Sequence, residues 1–509
     1  MMTRRVLLQS LAASTLLLGA TALKATNEKE FGKRKPTGSL KGTEFYLTIE
    51  ETIVNVTGDY SVATTVNQML PGPTLYWKEG DTVTIHVTNK LPVSTSIHWH
   101  GIILPYKMDG VPDISYDGIA SGETFTYKFQ VNQSGTFWYH SHTGFQEQSG
   151  VNGAIVIEPK KPDPFEYDSE YVVSLTDWSD EKPESIYRKL KIHSDYYNFN
   201  KRTVGNFFEE VKTEGLSEAI KTRKMWNEMR MSNRDFSDVS GYTYTFLMNG
   251  RTPQEDWRAL FKKGDKVRLR FINQSAMTFF DVRIPGLKLT IVAADGNPVK
   301  PVVVDEFRIG VAEAYDVIVE PDNDAYCIFA QSLDRFGYAA GTLATESNAK
   351  AARPQMDKLQ PLSMVDMGMG NSMDMDGVKE ESMNTHHNIM PMPEKPKIPI
   401  TKLPIKWGVG TAMRAVNPRY RLDDPGAGLR NNGRKVLTYA DLKNFYSTAS
   451  EPMPDREIVL HLTGNMERYM WSINGISYAD SLPLKFYYGE RVRVTFINDT
   501  MASFITHKK

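Results

Sequence analysis

Apolar and polar positions alternate most regularly in three stretches, Gly80–Asn89, Gly264–Asn273 and Gly489–Asn498. Each opens on Gly followed by an acid (Asp81, Asp265, Glu490), runs through alternating apolar residues and closes on Asn. A period of two puts every second side chain on one face, so each stretch predicts a half-buried strand entered through a turn. The expected buried faces are Val83, Ile85 and Val87, then Val267, Leu269 and Phe271, then Val492, Val494 and Phe496. A second echo joins Phe246-Leu247-Met248-Asn249-Gly250 to Trp471-Ser472-Ile473-Asn474-Gly475. A unit met three times predicts three like domains, and a chain of 509 residues has room for about three. Short strands with Gly and Pro turns make the expected fold class all-β, as tandem β-sandwiches.

The pattern changes in two places. Residues 180–240 are charged and helix-like, as in Ile186-Tyr187-Arg188-Lys189-Leu190-Lys191-Ile192, Phe207-Phe208-Glu209-Glu210-Val211 and the run from Leu216 to Met231. They predict a mostly helical insert whose aromatic residues pack rather than bind. Residues 350–398 are polar, poor in β-branched and aromatic residues, and rich in methionine: Met356, Met364, Met367, Met369, Met373, Met375, Met383, Met390 and Met392, with His386 and His387. Such a segment predicts a flexible linker. Soft thioethers select Cu(I), and neighbours such as Met367 and Met369, or Met373 and Met375, can share one ion. Cu(I) capture and a plain linker are both open readings.

At the N-terminus, Arg4-Arg5 precede an apolar run from Val6 to Ala22 that is short and rich in small residues, and Ala20-Thr21-Ala22 offers a cleavage site. Residues 1–22 are expected to be a signal peptide, of the twin-arginine or the ordinary secretory type. No other stretch is apolar enough to span a membrane. The net charge of -1 gives no electrostatic case for nucleic acid or anionic lipid. The one cysteine, Cys327, excludes an internal disulfide framework. It lies in the apolar run Ala325-Tyr326-Cys327-Ile328-Phe329 with no neighbouring His, as a core residue would.

Four of the ten histidines fall in two His-x-His triplets: His98-Trp99-His100 and His140-Ser141-His142. In strand surroundings each triplet presents two imidazoles on one face. If the strands face each other, four imidazoles converge on a metal. Imidazole suits copper, zinc, iron and nickel, so ligand type alone does not choose among them. The segment after the second repeat, Met277-Thr278-Phe279-Phe280-Asp281-Val282, has no such triplet. The middle domain is therefore expected to carry no ligand and to hold the outer two in contact. Asp109, in Met108-Asp109-Gly110-Val111-Pro112, reads equally as a turn residue.

These triplets, with Pro71-Gly72-Pro73-Thr74, Met108-Asp109-Gly110-Val111-Pro112 and Leu175-Thr176-Asp177-Trp178-Ser179-Asp180, resemble the multicopper oxidases, and among them the bacterial copper-resistance protein A family. The likeness covers nearly the whole chain. It implies cupredoxin-like Greek-key sandwiches. It also implies copper as cofactor, with His98 on the type 2 ion, His100, His140 and His142 on the type 3 pair, and Asp109 as a proton relay. The implied organisation is a signal peptide at 1–22, a first cupredoxin domain at 40–160, a second at 165–349 with its insert at 180–240, the Met-rich linker at 350–398, and a third domain at 399–509. The implied location is the periplasm.

One departure matters. After Asn498, family members run into a His-Pro-x-His-Leu-His-Gly motif and later a His-Cys-His motif with an axial Met, whereas this chain reads Asp499 to His507-Lys508-Lys509. His507 stands where the type 2 ligand is expected, or is simply a tail residue. A type 1 site needs a Cys thiolate with two His, and none is expected here. The third domain is expected to be truncated, through a frameshift or early stop, with unpaired strand edges. Three readings follow: an oxidase coupling oxidation of Cu(I) or phenol-like reductants to reduction of dioxygen to water, a non-enzymatic periplasmic copper binder, or a chain without function.

Overall fold

The computed structural model describes residues 32–228, 232–363, 366, 398–415, 418, 420–446, 453–465 and 467–500. The expected signal peptide, the Met and His residues from Met364 through Met392, and His507 lie outside them.

The first unit contains β1 (Gly32–Lys33), β2 (Ser39–Lys41), β3 (Glu44–Asn55), β4 (Tyr60–Val66), β5 (Thr74–Lys78), β6 (Thr82–Asn89), β7 (His98–His100), β8 (Thr124–Gln130), β9 (Gly135–His140) and β10 (Asn152–Glu158). They form two five-stranded sheets, β1-β3-β6-β8 with β4 beside β3, and β2-β5-β10-β9-β7. The expected face of Val83, Ile85 and Val87 is fully buried between the sheets with Trp77, Trp99, Tyr127 and Tyr139. The closing Asn89 also has a role. Its amide donates to the carbonyls of Val93 and Ile119 at 2.8 and 2.9 Å, fixing the loop that leads to the first His-x-His triplet. Asn273 repeats this on Thr278 and Ile309 at 2.7 and 3.2 Å.

The second unit contains β11 (Ser169–Trp178), β12 (Thr245–Met248), β13 (Trp257–Leu260), β14 (Val267–Asn273), β15 (Phe280–Arg283), β16 (Leu289–Ala294), β17 (Asn297–Val304), β18 (Glu306–Ile309), β19 (Ala314–Val319), β20 (Ala325–Ser332) and β21 (Tyr338–Ala344). A six-stranded sheet, β12-β11-β14-β19-β16-β17, faces a five-stranded one, β13-β21-β20-β15-β18. Three helices separate β11 from β12: α1 (Pro183–Ile192), α2 (Val204–Glu214) and α3 (Leu216–Glu228). Ile186 and Leu190 of α1 and the following Tyr197 join the core of this unit.

The strand β14 departs from the half-buried expectation. Every residue from Val267 to Asn273 is buried, Arg268 and Arg270 included. The cause is β9 of the first unit, which covers the outer face. Thr136 of β9 donates to Asp316 at 2.6 Å and accepts from Arg270 at 2.7 Å, and Arg268 donates to Asp316 at 2.5 Å. Beside this polar knot, Trp138 and Ala154 pack against Ile272, Ala312 and Ala314. The two units share a buried wall, and β9 belongs to it.

The third unit contains β22 (Ile400–Lys402), β23 (Arg456–Asn465), β24 (Met470–Ile473) and β25 (Val492–Asn498) in one sheet, ordered β22-β23-β24 with β25 on β23. Here too the predicted face differs. Val492 and Val494 are half-buried and Phe496 is 41% exposed. Among the described residues, β25 pairs only with β23 and no second sheet covers it.

Residues 350–363, expected to be flexible, carry no helix or strand yet are tied to the second unit. Arg283 donates to the Gln355 carbonyl at 2.9 Å, Gln331 to Asp357 at 2.7 Å, and the Leu362 amide to the Asn233 carbonyl at 2.7 Å. Composition marks low helix and strand content, and it does not register side chains elsewhere that capture backbone. No described helix is long and apolar enough to cross a membrane.

Candidate metal centre

The strands β7 and β9 are antiparallel neighbours, and His98 lies directly opposite His140. Alternation then sorts the side chains. Trp99 and Tyr139 point into the core of the first unit, and His98, His100, Trp138 and His140 share the other face. His98, His100 and His140 each offer one ring nitrogen to a group that lies within 4.8 Å of one another. His142 follows the end of β9 and is exposed. Its ring centre is 5.5 Å from that of His98 and 5.6 Å from that of His140. The structure thus brings three imidazoles tightly together, with the fourth at the rim.

Ring orientations are fixed by acceptors. His98 Nδ1 lies 2.7 Å from the main-chain oxygen of Asp109. A carbonyl only accepts, so Nδ1 carries the proton and Nε2 keeps its lone pair. The Asp109 carboxylate is farther away, at 3.5 Å from the same nitrogen. This contact depends on Gly110, which has a left-handed φ of 79° and where a Cβ would fall 1.8 Å from the Ile97 oxygen. His140 Nδ1 faces the Ser141 carbonyl at 3.0 Å and Glu147 Oε2 at 3.1 Å. Its Nε2 turns toward His100 Nδ1, 3.3 Å away. Trp138 stacks on the His140 ring with centres 4.2 Å apart and planes 18° from parallel.

This donor set fits a borderline or soft transition ion. Two imidazole nitrogens bound to one ion at about 2.0–2.1 Å in tetrahedral array are about 3.3 Å apart. The group opens on a cavity of about 640 Å³ between the three units, whose wall includes His100, Trp138, His140, Glu147, Met277 and Tyr469. Cys327 does not suit such a site. It is buried against Phe329 and Ala340, and burial pushes its thiol up to about 11. Sequence reasoning missed Glu147. It belongs to no motif, and only the turn after β9 brings it back to His140.

Known proteins match the chain over most of its length. Two family descriptions of multicopper oxidases match the chain, one over residues 48–162 and one over 169–351. The chain is 51% identical to copper resistance protein A of Escherichia coli, over 99% of this chain and 89% of that protein. It is 50% identical to a copper resistance protein A homolog of Pseudomonas syringae pv. tomato, over 99% and 88%. Among solved structures it resembles Fet3p, a multicopper oxidase that functions in iron import, with a TM-score of 0.53 at 19% identity, covering 84% of this chain and 61% of that one. That last likeness speaks to fold alone, and it agrees with cupredoxin-like sandwiches. From near-complete matches at half identity, the chain belongs to the copper resistance protein A family of multicopper oxidases.

Proposed function

We propose that the chain is an exported, periplasmic copper protein in which His98, His100, His140 and His142 hold copper, His98 in the type 2 role and the other three in the type 3 role. The observation that carries this reading is the convergence of ring nitrogens from His98, His100 and His140 within 4.8 Å. Copper bound there supplies one-electron chemistry for coupling oxidation of Cu(I) or phenol-like reductants to reduction of dioxygen to water. The protein's own part is to hold His98 by its Nδ1 proton, to shield His140 beneath Trp138, and to place Asp109 beside His98 as a proton relay. The Met-rich run captures Cu(I), whose preference for soft thioethers it matches.

A second reading has its own observation. Within residues 1–509 the only thiol is Cys327, and its burial and raised pKa disfavour the thiolate that a type 1 site requires. On this basis we infer that these residues offer no type 1 site, and that alone they act as a non-enzymatic copper-sequestering protein.

Dioxygen uptake by the copper-loaded chain on addition of Cu(I) separates the two. Uptake that is abolished in His100→Ala supports the oxidase. Bound copper with no uptake supports sequestration. Cu(II) binding unchanged by His100→Ala overturns the histidine centre on which both rest.

A further inference from the structure

Resting on the copper reading above, we propose that Glu147 is a positioning residue for His140, fixing which nitrogen that ring presents to the metal. Glu147 Oε2 lies 3.1 Å from His140 Nδ1, and the Ser141 carbonyl lies 3.0 Å from the same atom. The carbonyl accepts from Nδ1 and the carboxylate faces the same atom as an ion-pair contact, so the proton sits on Nδ1 and the Nε2 lone pair is left facing His100. A carbonyl alone could achieve this tautomer. The carboxylate adds negative charge to the far side of the ring, which strengthens the imidazole as a donor.

The position of Glu147 is built, not incidental. The turn from Thr143 to Gly150 is clamped at several points. The Gln146 side chain accepts from Thr95 at 2.6 Å and Ser141 at 3.0 Å and donates to the Ser94 carbonyl at 2.8 Å. The Gly150 amide donates to the Glu147 carbonyl at 3.1 Å. At Gly150, with φ of 116°, an added Cβ would come within 2.5 Å of Leu70 and 3.0 Å of the Thr64 oxygen. The turn therefore returns close to β9 with its carboxylate on the cavity wall. Trp138 stacks on the ring face, so the ring is held on its face and at one edge, and only Nε2 is offered to an ion.

The test is copper affinity, measured by competition with a chromophoric chelator, together with the electron paramagnetic resonance spectrum of the Cu(II)-loaded chain. The variants are Glu147→Leu and Glu147→Gln. Leu removes the acceptor and the charge, and Gln keeps an oxygen acceptor without the charge. The expected result is about 10–100-fold weaker binding in Glu147→Leu with an altered nitrogen hyperfine pattern. In Glu147→Gln the pattern is expected to be restored and the affinity intermediate. A merely structural role would change the thermal midpoint of the copper-free chain and leave the Gln and Leu spectra alike, which would overturn the proposal. So would unchanged affinity in Glu147→Leu. If the unmodified chain binds no copper through His100, shown by an unaffected His100→Ala variant, the copper reading itself fails first.

Discussion

Glu313 is buried beside the inter-unit wall, where its carboxylate accepts from the Gly310 amide and from the Tyr439 hydroxyl, both at 2.6 Å. Burial pushes this carboxyl up to about 7, against the pull of its two donors. A carboxyl raised in the fold favours the protonated state. Its stabilisation is complete below the unfolded value near 4.5 and is lost as pH rises through about 7. The window corresponds to on the order of 3 kcal/mol. Urea unfolding at pH 5 and pH 8 is expected to show this loss, and Glu313→Gln to reduce it, while Asp235 and Asp238, whose carboxyls are likewise raised to about 7 and about 6, keep the remainder. A wild-type chain as stable at pH 8 as at pH 5 would refute the assignment. At this scale the sequence was informative where chemistry repeats and silent where geometry decides. His98, His100 and His140 announce themselves by spacing. Glu147 and Glu313 owe their roles to turns and packing that no local pattern encodes.

At the scale of elements, β9 joins the site to the second unit. It ends in His140, and its Thr136 sits between Arg270 and Asp316. Asp316 also faces Arg268, and the two guanidinium groups hold its carboxyl below the usual range despite full burial. Removing one member of a buried ionic group costs about 3–5 kcal/mol. Asp163 and Glu170 remain beside the arginines, so Asp316→Ala is expected at the lower end, about 3 kcal/mol, with weakened copper binding because β9 shifts. An unchanged urea midpoint would rule this out. The alternation in Gly264–Asn273 identified a strand and misjudged its outer face, because Arg268 and Arg270 read as solvent-facing residues until another unit's strand is placed over them. The first repeat carries no such cover, and its expected buried face is the buried face observed.

For the whole molecule, order is unevenly distributed. The first two units each enclose a core between paired sheets, while the described third unit is a single sheet with Trp471, Ile473 and Phe496 partly exposed. Edges and uncovered apolar faces open first. Hydrogen exchange followed by mass spectrometry is expected to label β24 and β25 well before β14 and β19, and equal protection across the three units would contradict this. The three-fold repeat made the architecture legible, but not what covers each copy, since an alternating strand looks the same whether or not a second sheet lies above it.

The shared wall also imposes a schedule on biosynthesis. The histidines at 98, 100 and 140 leave the ribosome long before residue 316 does. A nascent chain therefore possesses its candidate metal ligands before it possesses the carboxylate and guanidinium groups that seat Thr136. Until the second unit folds, the ledge under His140 is missing. Assembly of the candidate centre is thus a late event, and a chain interrupted between those points would carry its histidines without the frame that arranges them.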